Sequence, residues 1–375
     1  PAGSRGISLF LCPKYFVNDD GSLGDRNNFK PIGVEHKLGI HGSPTCVMEF
    51  EGAKGWLVGE PNKGLACMFT MMNEARMYVG VQGVAIGERA YQAALGYANE
   101  RVQSRVLDET ANTETDGTIA GHADVRRMLL DMKSGLMGAR ALNYACAIAC
   151  DLAEGLEDAD AAKAAHVRQA LLTPIVKSYG SDMGVSVAST AVQVHGGMGF
   201  IEETGAAQHY RDAGIAPIYE GTNGIQALDL VGRKLRRDGG AAMAELITEL
   251  DGILADTKDM HGKDGHDFGC NVRHLEAGLA ALKSATDLVL VMDELDSHAA
   301  AMPYLWLCGD VIAGAYLIKS VLAGLKAGDA HAPAMKKLVW HHTLVYLAKA
   351  PAHLEQIKYA SAPVFAYPHN ALADL

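Results

Sequence analysis

The sequence predicts a mainly α protein that opens with β strand and loop and continues in long helices. Three observations carry this. Residues 1–60 hold short apolar runs around a turn signal, alanine-rich stretches with few breakers follow from about Leu65, and the connections between those stretches are short. In the first part, Ile7–Leu11 and Cys46–Phe50 read as strands, Asp19-Asp20-Gly21 as a turn, and Gly59–Gly64 as a closing loop. Residues 65–105 then read as long helix, and a second helix runs from near Gly121 to Gly155. Residues 160–195 give more helix, in which Pro174 predicts a break or a first-turn position. Gly196-Gly197-Met198-Gly199-Phe200 predicts a sharp stop, followed by a loop to Tyr219 and an amphipathic helix over Gly221–Arg236. Four such helices with short connections predict an antiparallel four-helix bundle. Asp238-Gly239-Gly240 is a candidate boundary. Beyond it, helical patterns at 241–258, 271–297, 303–326 and 333–358 surround a polar loop, Gly262–Gly269, and Pro363 and Pro368 fall in an irregular tail. No fixed-period repeat or low-complexity segment is present.

Composition narrows the function. The 375 residues suffice for two or three domains at roughly 100–200 residues each. Lysine plus arginine total 33 against 44 aspartate plus glutamate, a net charge of −11 that argues against nonspecific binding of nucleic acid. A local basic pocket for a phosphorylated ligand stays compatible with that balance. Seven scattered cysteines include no C-x-x-C pair, and Cys146 and Cys150 sit in an apolar helical pattern that reads as core, so a reducing compartment is expected. No metal site is expected, since His341 and His342 are adjacent and have no further partner at ligand spacing. No apolar run reads as long enough to cross a bilayer, which takes about 20 residues, and no signal peptide is visible. Because the chain begins at Pro1 and runs at once into the strand-like Gly6–Pro13, a missing N-terminal stretch is expected.

The most informative stretch is 193–226. Gly196, Gly197 and Gly199 allow a tight turn and close approach of a ligand to the backbone, or simply cap a helix. They do not open a helix after a strand, so they are no dinucleotide fingerprint. Glu220 stands before Gly221-Thr222 at a predicted helix start. A carboxylate there is favoured electrostatically at a helix N-terminus. Its apolar neighbours Ile218 and Tyr219 also predict partial burial, which raises a carboxyl pKa and suits a general base.

Four runs in order then acquire a joint meaning. Ile218-Tyr219-Glu220-Gly221-Thr222 resembles the catalytic glutamate motif of the acyl-CoA dehydrogenase family. Leu38–Thr45 resembles a segment late in that family's β-domain, Glu100-Arg101 its flavin-contacting arginine at a helix end, and Gln193–Phe200 its flavin-contacting loop given to the neighbouring subunit. The resemblance covers about residues 3 to 236. It implies the second half of a middle β-barrel over 1–63, a flavin-binding four-helix bundle over 64–236, and an additional helical domain over 237–375 as in larger members. Among those, the texture of Gly6–Tyr15 and Val34–Phe50 is most similar to bacterial enzymes of the 3-methylmercaptopropionyl-CoA dehydrogenase type.

The implied chemistry is FAD-dependent α,β-dehydrogenation of an acyl-CoA thioester, either a fatty acyl-CoA or 3-methylthiopropionyl-CoA. Glu220 would take the pro-R α-proton while a hydride leaves Cβ for flavin N5. The flavin ribityl hydroxyl and the Glu220 backbone N–H would stabilise the charge growing on the thioester oxygen, each such donor contributing about 3 kcal/mol. Arg101, Gln103 and Thr222 would hold FAD, as would Gln193, Gly196 and Gly197 toward the partner subunit's flavin. Asn73, Arg76 and Gly221 would hold substrate, Gly221 by letting the thioester approach the backbone. Members that carry the base on the earlier helix have it directly before the arginine matched by Arg76. Here that residue is Ala75, and Glu74 would point about 100° away, so Glu220 is the better base. Ser104, Arg105 and Gly224 depart from the family pattern. The resemblance further implies an electron-transferring flavoprotein as partner, a homodimer or homotetramer, and a cytoplasmic, bacterial setting. Its rivals are an acyl-CoA oxidase, a DNA-associated flavoprotein with a basic C-terminal domain, and membrane docking through 333–350, a stretch that reads more simply as a bundle helix.

Overall fold

A computed structural model describes residues 3–367 and 371; Pro1 and Pro368 lie outside the described residues. The chain divides into two compact units, Pro1–Ala75 and Arg76–Leu375. Among the described residues of the first, six strands pair in three antiparallel couples. Strand β1 (Leu9–Leu11) pairs with β6 (Trp56–Val58), β2 (Tyr15–Val17) with β3 (Leu23–Arg26), and β4 (Phe29–Val34) with β5 (Cys46–Phe50). The Asp19–Gly21 turn joins β2 to β3, with Gly21 at φ 81°. Buried Asn27 ties the loops together: its Nδ2 donates to the Lys54 carbonyl at 2.7 Å and to that of Pro13 at 3.0 Å, and its Oδ1 accepts from the Lys54 amide at 3.0 Å. The sequence pattern finds β1 and β5 but misses the rest, which are short and alternate weakly.

The helices are α1 (Gly64–Glu100), α2 (Glu109–Glu114), α3 (Ala123–Gly155), α4 (Ala159–His195), α5 (Ala206–Ala213), α6 (Asn223–Asp229), α7 (Ala241–Met260), α8 (Gly269–Val291), α9 (Glu294–Ala327), α10 (Ala332–Val345), α11 (Ala350–Lys358) and α12 (Ser361–Val364). The mainly α expectation therefore holds. Asp158 starts α4 by accepting from the amides of Asp160 and Ala161, leaving a short link to the end of α3. From there α3 and α4 bury Met132, Leu136, Ala139, Leu142 and Cys146 against Leu172, Ile175, Val176 and Tyr179. The second unit's part of α1 crosses α4 closely: Gly80 faces Val176, Gly83 faces Gly180, and Gly87 faces Gly184. Long, buried α9 packs against α3, α4, α6, α7, α8, α10 and α11.

Several expectations are corrected. Helix α4 passes unbroken through Pro174. A helical proline costs roughly 3 kcal/mol, but buried Leu171, Leu172, Ile175 and Val176 around it each contribute about 2 kcal/mol, so packing decides. The predicted loop before Tyr219 contains α5, whose buried Ala206 and Ala213 are too small to mark a periodic pattern. The predicted 271–297 helix ends at Val291, because Asp293 accepts from the Asp296 amide at 2.8 Å and starts α9. Pro303 thus falls inside α9. The 333–358 helix splits at a 3-10 turn, Leu347–Lys349, since Pro351 has no N–H to continue the earlier helix and suits the first turn of α11. Gly221–Arg236 becomes α6 followed by a π-helical turn, Leu230–Lys234. Pro363 lies in the short α12 rather than in irregular chain. Finally, α9 is long and apolar enough to cross a membrane, but 83% of its most apolar window is buried inside the fold, as in a core helix.

His342 of α10 is fully buried between α3 and α9. Its Nδ1 meets the Ser134 carbonyl at 3.0 Å, its ring stacks on Tyr346, and its Nε2 has no partner among the described residues. Burial pushes it down to about 4, with Asp310 and the Ser134 carbonyl opposing and Lys349 and His341 adding. The unfolded chain takes up the proton first, near 6.5. Stability is therefore full above pH 6.5 and falls by about 3 kcal/mol as pH drops to 4. Urea unfolding across that window should show this loss, and His342→Leu should flatten it; an unchanged slope would contradict the assignment.

Candidate active site

Glu220 and Gly221 form a tight turn between Tyr219 and α6, with φ of 58° and 85°. A non-glycine residue in the left-handed region is strained by about 1 kcal/mol or more, so surrounding bonds must impose it. They come from three directions. Arg76 Nε donates to the Glu220 carbonyl at 3.1 Å. Gln226 Nε2, on the first turns of α6, donates to the carbonyls of Glu220 and Gly221 at 3.3 and 3.4 Å. The Asn223 amide closes the loop on the Pro217 carbonyl at 2.9 Å. A Cβ on Gly221 would sit 2.8 Å from Gln226 Nε2 and 3.5 Å from the Arg76 guanidinium, so glycine is needed here for packing as well as for φ.

The turn is half-buried, and its electrostatics are dense. Arg76 is nearly buried. Desolvation lowers its pKa, the nearby Asp229 and Glu220 carboxylates opposing and Arg233 adding. Asp229 lies 3.9 Å from Arg76 and is bonded by Arg233 at 2.5 Å. Beneath the turn, fully buried Lys177 of α4 donates to Asn223 Oδ1 at 2.8 Å, and Asn223 Nδ2 donates to Asp182 Oδ1 at 2.7 Å. Burial pushes Lys177 down to about 8, Asp182 opposing, Arg76 adding and Glu220 opposing. Burial likewise raises Asp182, although bonds from Trp306 and Asn223 hold it back. Tyr219 donates to Gln82, and burial with the Glu220 charge raises its phenol. Among the described residues, no hydrogen bond takes up the Glu220 backbone N–H, which leaves a donor at the turn.

Arg76, Glu220 and Gly221 are therefore brought together. Asn73 lies earlier on α1, half-buried within the first unit. Exposed Arg101 follows the end of α1 and donates to Gln103 Oε1 at 3.0 Å. Gln193 is exposed near the end of α4. Gly196 and Gly197 follow on an exposed turn, where an added Cβ would meet nothing within 4 Å, an open ledge of backbone. Thr222 is exposed and caps α6 by accepting from the Ile225 amide at 3.2 Å. Sequence reasoning missed Gln226, Asp229, Lys177, Asn223 and Asp182. Only Lys177, a lone cation in the apolar run Pro174–Tyr179, gave a visible signal.

Replacing Arg76 with methionine should cost about 2–3 kcal/mol in urea unfolding. It strands Asp229 in a nearly buried setting, and the Arg233 bond keeps the loss at the low end for a broken buried pair.

Residues 62–235 match the family described as acyl-CoA dehydrogenase, C-terminal domain. The 3-methylmercaptopropionyl-CoA dehydrogenase of Ruegeria pomeroyi is 46% identical over 341 residues, 88% of this chain and 56% of that protein. The chain belongs to the acyl-CoA dehydrogenase family. A butyryl-CoA dehydrogenase of Syntrophomonas wolfei is 36% identical over 294 residues, 76% of this chain and 47% of that protein. The chain thus spans about half the length of the curated relatives it matches. Its fold is shared with two solved structures. Caenorhabditis elegans ACDH-11 in complex with C11-CoA aligns with TM-score 0.70 and 22% identity, over 95% of this chain and 57% of that one. An acyl-CoA dehydrogenase complexed with FAD from Bacillus anthracis aligns with TM-score 0.69 and 20% identity, over 98% and 62%.

Proposed function

We propose that this chain carries the base and part of the flavin site of an FAD-dependent acyl-CoA dehydrogenase, with Glu220 removing the α-proton of the thioester. The observation that carries the reading is the Glu220–Gly221 turn: a half-buried carboxylate on strained backbone, clamped through its own carbonyl by Arg76 and Gln226. A Cα–H beside a thioester is a weak acid, so the base must be matched by stabilisation of the oxygen that gains charge. The uncommitted Glu220 N–H is a donor suited to that oxygen, and it belongs to the same residue as the base. Holding both on one turn fixes their separation, which is where positioning lowers the barrier.

FAD, when bound, accepts the hydride from Cβ. The residues fit such a group: exposed Arg101 offers a guanidinium for phosphate oxygens, and the open ledge at Gly196 and Gly197 allows backbone approach. Arg101, Gln103 and Thr222 would hold it from this chain, and Gln193, Gly196 and Gly197 would reach the flavin of a second copy. Arg76 would line the substrate channel. The binding of FAD and CoA thioesters named for the solved relatives favours the same assignment.

The three-part division into 1–63, 64–236 and 237–375 belongs to this reading. It is supported by the change from strand to helix at Gly64 and by the positive-φ pair Gly239-Gly240 before α7. Exposed Tyr144, Ile148 and Leu152, one above another on α3, suit burial in a homodimer or homotetramer. Electron-transferring flavoprotein as acceptor and a cytoplasmic location complete the proposal, the seven free cysteines being in keeping with a reducing compartment.

The test is a panel of CoA thioesters, butyryl, long-chain and 3-methylthiopropionyl among them, added to the FAD-loaded protein under anaerobic conditions. Bleaching of the flavin by at least one thioester is expected, and by the 3-methylthiopropionyl thioester in particular if the similarity to the Ruegeria relative extends to substrate. Full-length protein that binds FAD but is reduced by none would contradict the reading.

A further inference from the structure

We infer that Lys177 is a positioning residue for the Glu220 turn, acting through Asn223 and braced from α9 by Trp306. The inference rests on the reading of Glu220 as the base. Lys177 is fully buried in α4, where a lysine is normally found only with a partner. Its Nζ donates to Asn223 Oδ1 at 2.8 Å. Asn223 has both side-chain ends committed. Its Nδ2 also reaches Asp182 Oδ1 at 2.7 Å and Ser181 Oγ at 3.1 Å, while its amide holds the Pro217 carbonyl at 2.9 Å. The segment Pro217–Asn223 is thus a closed ring with Glu220 near its apex and Asn223 as its anchor. Asp182 in turn accepts from Trp306 Nε1 of α9 at 3.3 Å. A chain of bonds therefore runs from α9, through α4, to the ring that carries the base.

The choice of residue types fits this use. Asn223 presents an acceptor to the cation and a donor to the carboxylate, and the reverse orientation would face like with like at both contacts. The side chain is thereby fixed in one orientation, which a neutral pair would not ensure. Arg76 and Gln226 fix the turn from the other side. With the anchor lost, the positive φ of Glu220 has support from one side only.

The test uses the full chain and its variants Lys177→Met and Trp306→Phe. Methionine keeps the length of the side chain and removes the donor; the second change removes the indole N–H together with part of the ring, at an exposed residue. Amide hydrogen exchange over residues 217–226 should quicken at least tenfold in Lys177→Met and about threefold in Trp306→Phe, with α3 unchanged. In the FAD-loaded enzyme, Lys177→Met should lower kcat about tenfold while KM for the acyl-CoA stays within twofold, a split that general loosening of the fold would not give. Should Lys177→Met fail to fold, the exchange of Trp306→Phe decides. Unchanged exchange at 217–226 in every folded variant overturns the inference, as does acceleration spread equally over α3. Local acceleration in a protein that turns over no thioester supports the anchor and counts instead against Glu220 as a dehydrogenase base.

Discussion

Glu220→Gln should lower the rate of flavin reduction by acyl-CoA by about 10³-fold while leaving FAD binding intact. A positioned general base typically contributes 10²–10⁴-fold, and glutamine keeps the shape of the side chain without its basicity. The clamps on the turn reach the backbone carbonyl of Glu220, so the variant retains both the Arg76 and the Gln226 bonds and with them the fold of the turn. Stopped-flow bleaching of the bound flavin measures the loss, and the flavin spectrum measures binding. Near-normal reduction would remove Glu220 from the chemistry and direct attention to another carboxylate.

The largest effect on stability is expected from Gly83→Ala. A Cβ there would lie 2.2 Å from the Gly180 carbonyl oxygen and 2.7 Å from the Ser181 Cα. The obstacle is backbone on both counts, so no rotamer change relieves it, and α1 must move off α4. Overpacking of this kind costs roughly 1–3 kcal/mol and sometimes more; with two buried helices forced apart, about 3 kcal/mol is the expected loss. Gly96→Ala provides the control on the same helix, since its added Cβ meets nothing within 4 Å. That change should be neutral or stabilise by up to about 1 kcal/mol. Urea midpoints of the two variants side by side would separate a packing effect from a propensity effect.

The contrast between these glycines explains what could be read in the sequence. Long helices were legible wherever alanine and leucine ran without breakers, as in α1, α3 and α7, because local propensity and burial agree there. They were misread where tertiary contacts overrule a local signal. Pro174 looks like an end, yet it is carried through α4 by a buried surface that no local pattern reveals. Met292-Asp293 looks like the interior of one helix, but Asp293 uses its carboxylate as a cap and divides α8 from α9. Short strands such as β2 and β3 have three or four residues each, too few to show a period of two.

The site divides in the same way. Ile218–Thr222 stands out because a carboxylate flanked by apolar residues precedes a helix start, and the half-buried turn lies at that place. The residues that hold the turn are single polar side chains in otherwise apolar helices. Gln226 would pass for a surface residue of α6, and Asn223 for an ordinary first-turn residue. Their roles depend on α4 and α1 arriving from 40 or more residues away, as with the bond from Lys177 to Asn223 and that from Arg76 to Glu220. Spacing along the chain carries no trace of such meetings.

Solvent exchange at the substrate's α-carbon tests the proposed role of Glu220 most directly. The FAD-loaded protein is held with an acyl-CoA in D2O, without an electron acceptor, and the recovered thioester is analysed by mass spectrometry. Wild-type protein should introduce deuterium at Cα, and Glu220→Gln should introduce none there. Incorporation that persists in the variant, or its absence from wild-type protein that demonstrably binds the thioester, would contradict a base at Glu220.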